Sequence, residues 1–128
     1  MDKVHVQRKI TDPEVLSGLI KKANGKRIIL TGGIFDFLKP YHIDLFDFAK
    51  SHGDILIVAV ESADVYTSAE ERLEILEAVG NIDILFLYEN EKDIEKIGSL
   101  VSEVIFNSEF GFSGDKILFK EKVINFPV

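Results

Sequence analysis

The sequence predicts an α/β fold: a parallel sheet with helices on both faces. Three observations predict it. Four short segments are near-continuous apolar runs: "RIIL" (27–30), "DILIVAV" (54–60), "DILFLY" (83–88) and "EVIF" (103–106). Runs of this kind, rich in branched residues, suit strands buried on both faces. Between them lie segments with helical spacing and recognisable start signals, and that alternation marks a parallel sheet.

The elements follow in order. Asp12-Pro13-Glu14 reads as a helix start: a cap acceptor, a proline at the first helical position, then an acid. Val15, Leu16, Leu19 and Ile20 form one apolar face, and Gly25 is the stop. "RIIL" is the first strand. Pro40 suits the first turn of the next helix, with Leu45, Phe46 and Ala49 inward and Gly53 at its end. After "DILIVAV", residues 68–71 match a capping box that opens a helix with Leu73, Leu76 and Val79 inward. "DILFLY" follows, then a helix from Asp93 to Leu100, then "EVIF". The tail segments "KILF" and "KVINF" fit either a short hairpin or one broken strand.

A chain of 128 residues is most simply one domain, here with residues 1–25 as a helical extension packed on it. There is no cysteine, which excludes disulfides and Cys-ligated metals. The longest strongly apolar run, "ILIVAV", is far short of the ~20 residues that span a membrane. A net charge of −7 repels nucleic acid. The expectation is a soluble cytoplasmic protein with no membrane or nucleic-acid partner.

The stretch "GGIFDFLKPYH" (32–42) carries the chemistry. Gly32 and Gly33 let the backbone turn tightly after a strand. The helix beginning near Pro40 aims unpaired N–H groups at the same space. Lys39 and His42, three apart, can face a shared ligand. A fixed cation, a titratable donor and a helix terminus suit a triphosphate. The other reading is a plain strand-to-helix turn. The stretch is neither GxGxxG nor a Walker loop.

"KRIILTGGIFDFLKPYHIDLFDFAKSHGDILIVAV" (26–60) and "ERLEILEAVGNIDILFLYE" (71–89) resemble the cytidylyltransferase-like nucleotidylyltransferases, most closely the nucleotidylyltransferase domain of ADP-heptose synthases of lipopolysaccharide core biosynthesis. The family's T-N-G-C-F-D-L-L-H-x-G-H signature aligns with residues 31–42, and the likeness runs from residue 9 to 107. It implies a Rossmann-like, doubly wound sheet of the HxGH type. It implies transfer of a nucleotidyl group from ATP or CTP to a sugar phosphate or similar small phosphate, with release of pyrophosphate. Mg²⁺ would come with the triphosphate, with no protein-held metal, and a homodimer is suggested. The resemblance assigns catalysis to His42, Lys39 and Arg72. It puts Thr31, Gly32, Gly33, Ile34, Phe35 and Asp36 around phosphate and ribose. Val60, Glu61, Ser62 and Asp64 follow the second strand near the nucleotide, and Asn107 follows the fourth.

The chain departs from the family in four places. Lys39 replaces the first signature histidine and Tyr41 the signature glycine. Only "VYTSAEE" stands where a Lys-Gly and an Arg-Pro are usual, and the late Ser-Thr-Thr run is missing. A degenerate nucleotide-binding protein with little or no turnover is therefore the alternative function, and a structural role with no ligand is a third. Simpler roles also exist for single residues. Asp36 can brace its own loop. Arg72 can pair with Glu71 or Glu74. His5 and His52 read as solvated, and residues 113–115 as a turn. Phe110 and Phe112 are either core or the cover for a base.

Overall fold

The computed structural model describes residues 7–110 and 122–127. His5, Phe112, residues 113–115 and "KILF" lie outside them. The strands are β1 (Arg8–Ile10), β2 (Ile28–Gly33), β3 (Ile55–Glu61), β4 (Ile84–Tyr88), β5 (Glu103–Phe106) and β6 (Val123–Asn125). They form a 6-stranded sheet in the order β1-β4-β3-β2-β5-β6. Every described pairing is parallel. The helices are α1 (Pro13–Lys22), α2 (Pro40–Ser51), α3 (Ala69–Leu76) and α4 (Glu91–Leu100).

The strands form where the apolar runs lie because both faces are covered. Side chains alternate between two cores, as strand geometry requires. Ile28, Leu30, Ile57 and Ala59 face α1 and α4, where Leu16, Ile20, Ile94 and Ile97 meet them. Ile29, Leu56, Val58 and Val60 face the other way, against Leu45, Phe46 and Ala49 of α2 and Leu76 of α3.

The starts of α1, α2 and α3 are those the sequence predicts, whereas α4 begins at Glu91, ahead of the expected Asp93, because Asn90 caps it by accepting from Asp93 N–H. The Asp12 carboxylate accepts from Glu14 N–H at 2.9 Å, and Ser68 Oγ accepts from Glu71 N–H at 3.1 Å. Gly25 takes a left-handed φ of 88° just past α1, which glycine adopts without strain. One strand is new to the expected sheet, and the tail segment "KVINF", read as hairpin or broken strand, forms a second edge. Residues 8–10 pair with β4 as an edge strand ahead of the predicted helix, and 123–125 extend the opposite edge beside β5. His52, expected to be solvated, is half-buried: its Nδ1 lies 3.2 Å from Glu103 and its ring packs on Phe48.

From β2 the chain steps outward through α2 to β3 and onward to β4. It then returns through α4 to β5, on the other side of β2. Strand order thus reverses between β2 and β5. The crevice at the carboxyl ends of those two strands is the usual ligand site of an open α/β sheet. The loop after β2 (34–39) and the turn after β5 (107–110) meet there.

Candidate functional site

Ile34, Asp36, Phe37, Lys39, Tyr41, His42, Val65, Tyr66 and Glu109 line a cavity of about 320 Å³ over that crevice. Lys39 and His42 therefore share one space, as their spacing predicts. Tyr41 does not plug it. Its ring lies on the His42 imidazole, centroids 4.1 Å apart, and its hydroxyl donates to Glu109.

His42 is held at the start of α2. Its Nδ1 accepts from the Lys39 backbone N–H at 2.9 Å. The imidazole so takes the part that Glu or Gln plays in a capping box. A backbone N–H can only donate, so the ring proton sits on Nε2. That Nε2 donates to Glu109 Oε2 at 2.6 Å. The ring is 2% exposed and meets Phe35 edge-on at 5.4 Å. His42 is thus a fixed, buried hydrogen-bond donor.

Phe35 is the one non-glycine residue with positive φ among those described, at 55°. Its ring is buried and its N–H donates to Glu109 Oε1 at 3.0 Å. Three donors, the Phe35 amide, the Tyr41 hydroxyl and the His42 imidazole, so converge on one carboxylate. The His42 bond foremost, with the Tyr41 and Phe35 bonds, outweighs burial and holds Glu109 down to about 2. Burial and this same contact push the Tyr41 phenol up to about 12.

The pH consequence follows from the sign of that shift. A carboxyl depressed in the fold contributes stability above its unfolded value, near 4.5, and the contribution is lost as pH falls towards 2. Wild type is expected to lose urea resistance more steeply across that interval than Glu109→Gln. Parallel midpoints for the two proteins would contradict the assigned contacts.

The glycine pair serves this arrangement closely. A Cβ on Gly32 would lie 2.6 Å from the Phe110 ring and 2.7 Å from the Ala59 carbonyl oxygen, and one on Gly33 would lie 3.1 Å from Glu109 Cβ. Both glycines thus make room for the turn after β5, where the resemblance implied room for phosphate and ribose. Phe110 is 2% exposed and packs edge-on to Phe106, so it belongs to the core and does not cover a base. Asn107 pins the turn. Its amide donates to Gly32 O and Thr31 Oγ1, and its Oδ1 accepts from Glu109 N–H. Thr31, fully buried, donates to Ile105 O at 2.8 Å and ties β2 to β5.

Of the other expected residues, Asp36 is on the cavity wall, and Arg72, Val60, Glu61, Ser62 and Asp64 are not. Arg72 is 1% exposed, and its guanidinium donates to the carbonyls of Ile34 (2.7 Å), Glu61 (2.8 Å) and Ala63. It is not an exposed ion pair; it clamps the ends of β2 and β3 together. Asp36 accepts from Tyr66 N–H, Thr67 N–H and the Thr67 hydroxyl, so it braces the loop after β3 and not its own. Val60 is core. Glu61 offers its carbonyl to Arg72, Ser62 N–H donates to Tyr88 O, and Asp64 accepts from Ala69 N–H.

Phe37, Val65, Tyr66 and Glu109 are cavity residues that the sequence reading passed over. Phe37 and Tyr66 stand at the rim, ring centroids 5.9 Å apart. For Glu109 a signal existed: it is the acid in the short turn that leaves the strand beside the glycine loop. Among the described residues no three His, Cys, Asp or Glu gather as a metal-holding group. No helix among them is long and apolar enough to cross a membrane.

A doubly wound parallel sheet with this loop at its switch point is a nucleotidylyltransferase-like α/β fold. The chain belongs to the cytidylyltransferase-like family, which matches residues 30–112. It is 33% identical over 109 residues to the bifunctional protein HldE of Pelobacter propionicus, covering 76% of this chain and 22% of that one. The HldE of Geobacter sulfurreducens is 31% identical over the same coverage. The chain thus spans about 22% of the length of these relatives. A solved lipopolysaccharide core biosynthesis protein from Thermoplasma volcanium has a TM-score of 0.65 at 17% identity, over 80% of this chain and 98% of that one. Pantoate-beta-alanine ligase from Francisella tularensis has a TM-score of 0.53 at 21% identity, over 70% and 38%. At these identities the two structures share the fold.

Proposed function

We propose that this protein is a nucleotidylyltransferase: it moves a nucleotidyl group from ATP or CTP to a sugar phosphate or similar small phosphate. The observation that carries the reading is the convergence of the Phe35 N–H, the Tyr41 hydroxyl and the His42 Nε2–H on one anionic group, the Glu109 carboxylate, at the switch crevice. Donors already aimed at an anion stabilise its charge without having to be reoriented themselves. Family membership and the HldE relatives support the same reading.

In the reaction an oxygen of the acceptor phosphate bonds to the α-phosphorus. The bond from that phosphorus to the bridging oxygen breaks, and pyrophosphate leaves with the electron pair. The protein forms no covalent bond. His42 donates from Nε2 to a phosphate oxygen and keeps its proton. The amino end of α2 adds its dipole, and Lys39, on the cavity wall, supplies an ammonium. Mg²⁺ would accompany the triphosphate and would neutralise part of its charge, held mainly by phosphate and water rather than by this chain. Of the cavity carboxylates, Asp36 and Glu109 already accept hydrogen bonds. In the cytoplasm the acceptor would be a soluble small phosphate, and a homodimer would be the working unit.

A second reading has its own support. Glu109 holds the very donors a phosphate needs, and Arg72 is spent on carbonyls. A protein so built can hold a nucleotide without turning it over.

Pyrophosphate release with each triphosphate, Mg²⁺ and a panel of sugar phosphates tests the first reading. Release is expected, falling about 100-fold in His42→Ala. Nucleotide binding with release no faster than that variant, for every acceptor, would leave the second reading standing.

A further inference from the structure

Glu109 is the acid that this arrangement has to explain. Its half-buried side chain engages both carboxylate oxygens: Oε1 takes the Phe35 N–H, and Oε2 takes the Tyr41 hydroxyl and the His42 Nε2–H. The turn beneath it is anchored by Asn107 and the buried Phe110. The donors are anchored as well, His42 by its cap bond and Phe35 by its buried ring in a left-handed backbone. Residues held in sparsely populated backbone regions persist only where their surroundings impose them. The pieces are thus set around an anion, and the chain provides that anion itself.

We propose that Glu109 sets the phosphate affinity of this site by acting as a built-in competitor: its carboxylate occupies the donor set that a nucleotide phosphate would take, and it must swing out before the phosphate can bind. The inference rests on the nucleotide reading above and adds to it the residue that opposes binding.

The geometry says how the exchange would proceed. Asn107 and Phe110 hold the backbone, so the side chain moves and the turn stays. The Glu109 side chain retains 24% exposure and has solvent beside it. A carboxylate left next to a phosphate would repel it at close range, so partial sharing is unfavourable. Apparent affinity is then the intrinsic affinity scaled by the fraction of molecules with the cradle open. Ligands with a single weak negative charge compete poorly, and a triphosphate, with charge to spare, competes best. The site thereby discriminates against simple anions.

Glu109→Gln keeps the shape and removes the charge. A neutral amide oxygen accepts more weakly than a carboxylate, so the cradle opens more readily. Glu109→Ala removes the competitor altogether. Glu74→Gln removes an exposed carboxylate from α3 and serves as the control. Calorimetric titration of the full chain with ATP, CTP and inorganic tripolyphosphate is the measurement. About tenfold tighter binding of tripolyphosphate and of at least one nucleotide is expected in both Glu109 variants, with Glu74→Gln unchanged. Equal or weaker binding in the variants, with wild type binding a nucleotide, would overturn the competitor role and leave the proposed function intact. Heat from no chain with any nucleotide would overturn both.

Discussion

Replacing Arg72 with methionine is expected to destabilise the protein by about 3 kcal/mol, the scale of several buried hydrogen-bond acceptors losing a charged donor. The guanidinium reaches the carbonyls of Ile34, Glu61 and Ala63 from a position only 1% exposed. Ile34 and Ala63 lie just past the ends of β2 and β3, and Glu61 is the last residue of β3, so the guanidinium serves carbonyls where the strands give way to loops. Methionine fills the volume but offers no donor. Arg72→Lys is expected to recover little, because one ammonium cannot reproduce a planar fork aimed at separate acceptors. For a chain of this size the methionine variant should melt roughly 10 °C lower. The competing view makes Arg72 a phosphate contact. On that view the lysine variant keeps its melting temperature and loses only nucleotide affinity. Thermal unfolding and nucleotide titration of both variants separate the two.

Arg72 also shows where sequence reading stops. Its position before Ile75 and Leu76 permits an exposed ion pair, and the family pattern permits a phosphate contact. What decides is the location of three carbonyls 9, 11 and 38 residues away in the chain. Carbonyls carry no sequence signal. The four central strands, in contrast, were legible because burial on both faces demands unbroken apolar runs, and the caps at Asp12 and Ser68 because they are local. The edge strand Arg8–Ile10 has a single buried residue and so no pattern to read.

The site divides in the same way. Lys39 and His42 were legible since the β2–α2 connection alone brings them together. For Glu109 only the acid in the turn after β5 was local; its contacts were not legible, because it reaches its partners across 67 to 74 residues of chain. The substitution of tyrosine for the signature glycine at 41 makes sense only with Glu109 in view. A glycine there could not donate a hydroxyl to the carboxylate, nor lay a ring on His42. Tyr41 at that position and Glu109 work as one contact pair.

Gly32→Ala is the second substitution expected to have a large effect, about 3 kcal/mol of lost stability, at the upper end for overpacking. Gly32 pairs in register with Ala59, whose carbonyl oxygen would stand 2.7 Å from the new methyl carbon. That oxygen belongs to a central strand and cannot retreat without breaking the ladder. The Phe110 ring, 2.6 Å away, could retreat only out of the core. Phe110→Ala alone leaves a cavity and costs about 3 kcal/mol or more. In the double variant the methyl has part of the ring's former space, so the summed loss should exceed the measured one. Relief stays partial because the Ala59 oxygen is untouched. If Gly32 instead served only the close approach of a phosphate, Gly32→Ala would melt like wild type, and the cycle would show no coupling to Phe110.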